Sequence, residues 1–369
     1  MKRFPNLDAL RFFAAAVVVI GHTEQKKGYL GLKSYFAQFP ELFQTSELAV
    51  TFFFVLSGFL ITYLIVTDLE KNRFSLKLFY KKRVFRIWPL YYLIIILGLF
   101  VIPNIPFLEY HTPHIGNINE IPTDVAFQVK VAYLTFVPHV ALFFDTISYV
   151  SHTWSIGAEE QFYLIWPVLL IFFYRHSLLL SLLSIIFLAS LKFIAHQQGW
   201  NVLAAYLEIS RMHAMIVGGL FAMMYHKSNL DSVKGFYLFF TTRWTEILAI
   251  LGVIIVFYTH VQLGSYKHDI FSIVSGLIIL NAATKSTTFI RLENSKSLSY
   301  LGKISYGIYM YHPFVLGVLL HAAHRYTDIY FASLKSNLGL YLIVLLITIA
   351  VSAASFELVE KRLVKKARN

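Results

Sequence analysis

Apolar blocks separated by short polar punctuation run almost from end to end of the chain. Blocks of roughly 17–25 residues are long enough to cross a hydrocarbon core as helices, and this reading predicts about ten spans. They fall near 7–23, 48–67, 87–103, 156–174, 178–195, 204–225, 244–260, 269–284, 301–320 and 337–356. The segment 104–155 breaks the rhythm. It holds Pro106, Pro113, Pro122 and Pro138, follows Pro103, and has apolar pieces too short to span. It is predicted as an outer-side excursion with re-entrant or interfacial parts, which lipid admits only where protein covers the backbone. No solenoid period and no low-complexity tract is visible, so residues 1–369 read as a single membrane domain of the all-α class.

Polar residues inside apolar blocks carry the most information. In LDALRFFAAAVVVIGHTEQ, Leu7 to Gln25, an arginine and a histidine stand 11 positions apart. Arg11 and His22 then lie within ~20° of one helix face and roughly 16 Å apart along the axis. Arg11 alone has an ordinary explanation, snorkelling to headgroups, and His22 could simply end the span. An ionisable pair within a membrane helix is more often functional. A second group is Lys81, Lys82, Arg83 and Arg86 in KLFYKKRVFRIWPLYYL, before Pro89, which suits the first turn of a helix. Arg83 and Arg86 share a helical side. Positive-inside topology explains them, and so does a phosphate clamp, because arginine forks grip phosphate oxygens bidentately.

A third group is SHTWSIGAEEQFYLIWP, Ser151 to Pro167, where Ser155 is placed to N-cap a span and Glu159 and Tyr163 share a face at i, i+4. A partly desolvated carboxylate at such a mouth is suited to orient a histidine or to serve as acid or base. Arg211, in ISRMHAMIVGGLFA, needs an anion, a carboxylate or carbonyls as partner. His312, in GIYMYHPF, reads as a hydrogen-bonded bundle histidine beside a Pro313 kink.

Composition sharpens this picture. The chain is 57% hydrophobic, 14% charged and free of cysteine, with a mean hydropathy of +0.62. The lack of cysteine removes disulfides, thiolate metal sites and an acyl-cysteine intermediate. The formal net charge of +12 is explained by position. Counted from a cytoplasmic N-terminus, 23 of the 32 Lys and Arg fall on the cytoplasmic side, so both termini are predicted inside and no nucleic acid is required. The first span lacks a small-residue cleavage site and is expected to be retained. No HExxH, EF-hand or P-loop pattern occurs, so no metal is expected.

Six stretches together resemble the membrane acyltransferase 3 family. They are LDALRFFAAAVVVIGH, VTFFFVLSGFLIT, KKRVFRIWPLYYL, HTWSIGAEEQFYLIWPVLL, SRMHAMIVGGLFA and YLGKISYGIYMYHPF, with SFELVEKRL at the end, where Arg362 replaces the family's usual proline. The resemblance implies transfer of an acyl group, usually acetyl, from cytoplasmic acyl-CoA to a hydroxyl of an envelope glycan or glycolipid, in a bacterial cytoplasmic (inner) membrane. It places the family glutamate at Glu159, and it makes Arg211 and Gly218 one element. The expected roles are then His22 as general base, or as an acyl-histidine relay, assisted by Glu159 and Arg11. Lys82, Arg83, Arg86 and Arg211 bind the donor acetyl-CoA. Direct transfer in a ternary complex is the first expectation. With no soluble domain after the last span, the chain is expected to act alone or to pass its acyl group to a separate extracytoplasmic acceptor protein. The alternative is a proton-coupled transporter or flippase of an anionic or lipid-linked substrate. It fits the intramembrane charges, but the long outer excursion has no counterpart in a second inverted half.

Overall fold

An apolar segment in lipid finds no water for its backbone, so helices, which close their N–H to C=O bonds internally, are the expected result. The computed structural model is built of little else. It describes residues 4–110, 115–116, 118–119, 122–141, 146–147, 149–284, 288–326 and 334–367. Pro113, Lys285, Lys2 and Arg3 lie outside the described residues. In chain order the helices are α1 Pro5–Tyr29, α2 Gln44–Glu70, α3 Leu76–Ile96, α4 Thr123–Leu134, α5 Pro138–Ala141, α6 Trp154–Phe173, α7 Ser177–Gln197 and α8 Asn201–Ser210. They continue as α9 Met212–His226, α10 Asp231–Phe240, α11 Arg243–Tyr258, α12 His260–Leu263, α13 Lys267–Thr284, α14 Lys296–Tyr326, α15 Leu334–Ser355 and α16 Lys361–Lys366. Among the described residues one extended pairing occurs, β1 (Ile115–Gly116) parallel to β2 (Thr146–Ile147).

Among the described residues five helical segments are long and apolar enough to cross a membrane: Pro5–Tyr29, Pro40–Glu70, Leu76–Asn104, Ser151–Gln197 and Leu334–Lys366. Two bent pairs bring the number to seven when each is counted as one span. The chain is an integral membrane protein.

Besides the count, five to seven candidate spans among the described residues against about ten expected, two details differ from the sequence reading. The third span does not begin at Pro89. α3 starts at Leu76 and carries the basic cluster and Pro89 within it, since one missing backbone donor is a smaller loss than ending an apolar helix in lipid. The sixth span is not continuous: α8 and α9 meet at 42° with Arg211 between them. Arg211 has φ 44° and ψ 34°, a left-handed conformation rare for any residue but glycine.

The chain forms two compact units. The first comprises residues 1–14, 48–75 and 158–302. Its centre is the crossing of α2 and α9. A Cβ on Gly58 would stand 1.9 Å from the Met215 carbonyl oxygen, and one on Gly218 1.9 Å from that of Val55. Only glycine lets the two backbones come so close, as is common between membrane helices. α6 joins them through Trp166, whose Nε1–H donates to Thr62 Oγ1 at 2.8 Å.

The second unit comprises residues 15–47, 76–157 and 303–369. A buried polar network fixes the end of α1 within it. Glu24 receives Lys27 Nζ at 2.6 Å, the Tyr341 hydroxyl at 2.6 Å, the Ser34 hydroxyl at 2.8 Å and the Tyr35 amide at 2.6 Å. Lys27 donates in turn to Asn337 Oδ1 at 2.5 Å. Buried charges persist in apolar surroundings when they are paired and bonded in this way.

Candidate active site

His22 and Arg11 both lie on the unbroken helix α1, as the spacing predicts. In the second unit His22 meets His312 of α14. His22 Nδ1 and His312 Nε2 are 2.7 Å apart and the rings are stacked with centroids 5.0 Å apart. His312 Nδ1 is 2.6 Å from the carbonyl oxygen of Tyr309. A carbonyl only accepts, so Nδ1 of His312 carries the proton. In the neutral pair, Nε2 of His312 is then an acceptor, and His22 Nδ1–H donates to it. The basic nitrogen of His22 is therefore Nε2. Which nitrogen holds each proton follows from the bond network.

The surroundings make this pair rigid. His312 is fully buried, whereas His22 is half-buried. His152, which is buried, sets its ring across His312 with centroids 5.3 Å apart. The Tyr309 hydroxyl donates to the His152 carbonyl at 2.7 Å and lies 2.8 Å from Ser155 Oγ. Ser155 is thus not the helix cap that its position predicts. α6 begins one residue earlier, at Trp154, and the Ser155 hydroxyl turns to Tyr309 instead. One turn beyond His22, the buried Lys26 places its ammonium 4.6 Å from the Tyr110 ring centroid and 5.3 Å from that of Tyr149. Among the described residues no group of His, Asp or Glu is arranged to hold a metal ion.

The first unit holds Glu159, Arg11 and Arg211. The Tyr163 hydroxyl donates to Glu159 Oε2 at 2.8 Å, so the i, i+4 relation read from the sequence is a bond. The same hydroxyl lies 2.5 Å from Ser57 Oγ of α2. Ser57 and Glu159 are half-buried and Tyr163 is buried. Arg11 pairs with Asp8 at 3.8 Å. Arg211 Nη1 donates to Thr51 Oγ1 at 3.2 Å, and Thr51 Oγ1 lies 2.9 Å from His268 Nδ1. A strained backbone at a buried arginine is the kind of outlier that marks functional sites.

The basic cluster sits on α3, where Lys82 and Arg86 are exposed and Arg83 is half-buried with its guanidinium 5.7 Å from the Phe79 ring centroid. Three features went unnoticed in the sequence. They are Lys26, which the sequence reading did not consider, and His152 and Ser57, which it held only as members of longer stretches. For His312 the flanking Pro313 drew attention to a kink. Its partner, 290 positions away, has no local signal.

Comparison with known proteins bears on the chemistry of this site. The family model described as "Acyltransferase domain" matches residues 4–357. The chain is 27% identical over 335 residues to the peptidoglycan O-acetyltransferase OatA of Listeria monocytogenes, covering 84% of this chain and 49% of that one. It is 23% identical over 378 residues to a Staphylococcus aureus protein whose name proposes an O-acetyltransferase, covering 98% and 57% respectively. An uncharacterized protein of Haemophilus influenzae is 29% identical over 220 residues, 56% of this chain and 83% of that one. The chain thus spans about half the length of its relatives with O-acetyltransferase names. No solved structure matches it.

Proposed function

The chain belongs to the acyltransferase domain family, and we propose that it moves an acyl group, acetyl in the first instance, from cytoplasmic acyl-CoA to a hydroxyl of an extracytoplasmic or membrane-bound glycan or glycolipid. The observation that carries this reading is the His22–His312 pair. A half-buried imidazole whose Nδ1–H is tied to a buried neighbour presents Nε2 as a base of fixed tautomer. General-base assistance of this kind contributes about 10²–10⁴-fold to proton removal from an attacking hydroxyl. The transporter alternative has no support from the family.

In this reading Lys82, Arg83 and Arg86 dock the phosphates of acyl-CoA, and Arg11 and Arg211 supply fixed positive charge along its path. Glu159 acts through the hydroxyl of Tyr163, to which it is bonded. The reading takes both termini as cytoplasmic, from the excess of Lys and Arg on one side, and so assigns the basic cluster to the donor's side of a bacterial inner membrane. The acceptor is the glycan itself or a separate extracytoplasmic protein that carries the acyl group onward. The test is CoA release from acetyl-CoA by the purified chain in liposomes, with and without an envelope glycan extract. Acceptor-stimulated release of CoA, with label on the glycan, is expected. A folded chain that binds acetyl-CoA and never releases CoA refutes the proposal.

A further inference from the structure

Buried hydroxyls in a hydrogen-bonded chain can be assigned donor by donor. The Tyr163 hydroxyl has one proton, and a carboxylate oxygen, Glu159 Oε2, accepts it at 2.8 Å. The 2.5 Å contact between Ser57 and Tyr163 is therefore Ser57 O–H donating to the tyrosine oxygen. The result is a directed line, Ser57 to Tyr163 to Glu159, in which the proton of an aliphatic hydroxyl points down a relay ending on a carboxylate. A hydroxyl next to a proton acceptor that is itself oriented by a third group has the arrangement of an activated nucleophile.

Placement supports the same role. Ser57 is the central residue of α2, 13 positions from Gln44 and 13 from Glu70. It therefore lies roughly 20 Å from either end of that helix. A group that must cross a membrane needs a resting place at about this depth, and an extended pantetheine arm is of comparable length. The backbone beside Ser57 is pinned, because Gly58 lets the helix touch the Met215 carbonyl and Gly218 lets α9 touch that of Val55. Ser57 is half-buried.

We infer that Ser57 is a nucleophile that carries the acyl group covalently, with Tyr163 and Glu159 as its proton relay. The inference rests on the acyl-CoA reading above. Ser57 Oγ attacks the thioester carbonyl and the C–O bond forms. The serine proton passes to the Tyr163 oxygen while the Tyr163 proton passes to Glu159. The C–S bond then breaks, and the leaving thiolate takes the proton held by Glu159 and departs as CoA thiol. In the second half an acceptor hydroxyl attacks the serine ester. Its acyl–oxygen bond forms, the bond to Ser57 breaks, and the acceptor's proton restores the serine hydroxyl. Bringing donor and acceptor to one fixed oxygen in turn removes the need to hold both at once.

The experiment treats the purified full chain in liposomes with labelled acetyl-CoA and no acceptor, quenches in acid, and maps the label by peptide mass spectrometry. One acetyl on Ser57, released by hydroxylamine and chased by envelope glycan extract, is expected. Ser57→Ala is expected to lose the label and about 10³-fold or more of turnover while binding CoA as wild type does. Ser57→Cys is expected to keep a thioester label, which also shows that the altered chain folds. Tyr163→Phe is expected to slow labelling about 10²-fold. Label on Tyr163 or His22, or turnover by Ser57→Ala equal to wild type, overturns the acyl-serine and leaves the transferase reading standing. A wild-type chain that never releases CoA overturns both.

Discussion

His22 Nδ1 and His312 Nε2 stand 2.7 Å apart, and the carbonyl of Tyr309, 2.6 Å from His312 Nδ1, decides the direction of the bond between them. Two imidazoles on α1 and α14 thus act as one unit. The buried ring sets the tautomer of the half-buried one and leaves Nε2 of His22 as its acceptor nitrogen. Removing the buried member takes away the acceptor for His22 Nδ1–H. His312→Ala is expected to lower kcat about 10–100-fold, as loss of a supporting partner does elsewhere, with CoA affinity unchanged by calorimetry. His312→Ala with wild-type kcat would show that His22 needs no such support.

The α3 cluster is expected to act on binding. In the proposed clamp, Arg83→Ala and Arg86→Ala would each remove a charge-assisted phosphate contact, so KM for acetyl-CoA is expected to rise about tenfold for a loss near 1.4 kcal/mol. kcat should change little. The same variants should flatten the salt dependence of CoA binding, because exposed charges are screened within a Debye length. Unaltered CoA affinity in both variants would remove the clamp.

The α2–α9 crossing is expected to tolerate no side chain. Gly58→Ala places a methyl carbon 1.9 Å from the Met215 carbonyl oxygen, so one helix must shift. Overpacking of this kind costs about 1–3 kcal/mol, read as a lower midpoint of thermal unfolding in detergent. Because Ser57 is the preceding residue, the substitution is also expected to slow acetylation of the chain more than it lowers CoA affinity.

The network at the end of α1 is expected to be a stability element. Glu24→Ala leaves the buried Lys27 ammonium without its carboxylate and the Tyr341 and Ser34 hydroxyls without their acceptor. Breaking a buried pair in this way costs about 3–5 kcal/mol. A large fall in the unfolding midpoint is expected, with Lys27→Met plus Glu24→Leu recovering part of it.

How much of this was legible in the sequence depends on the distance between partners. Periodicity and block length placed most of the helices. The i, i+4 relation of Glu159 and Tyr163 is local, and the structure shows it as a hydrogen bond. The helix break at Arg211 was hidden. A left-handed arginine has no composition signature, and glycine, the usual residue for that conformation, is absent there. Pro89 was read as a helix start from its general preference, yet apolar packing carried α3 through it. The partners of His22 and Ser57 lie 290 and 106 positions away. Such pairings are set by helix packing, which no local pattern encodes. The hydrogen-bonded line from Ser57 through Tyr163 to Glu159 exists only because α2 and α6 pack together.

The most direct test of the account is CoA release by wild type and His22→Ala, purified in liposomes with labelled acetyl-CoA and an envelope glycan extract. The account predicts that wild type releases CoA and labels the glycan, while His22→Ala binds CoA normally and transfers nothing. His22→Ala that turns over like wild type would contradict it.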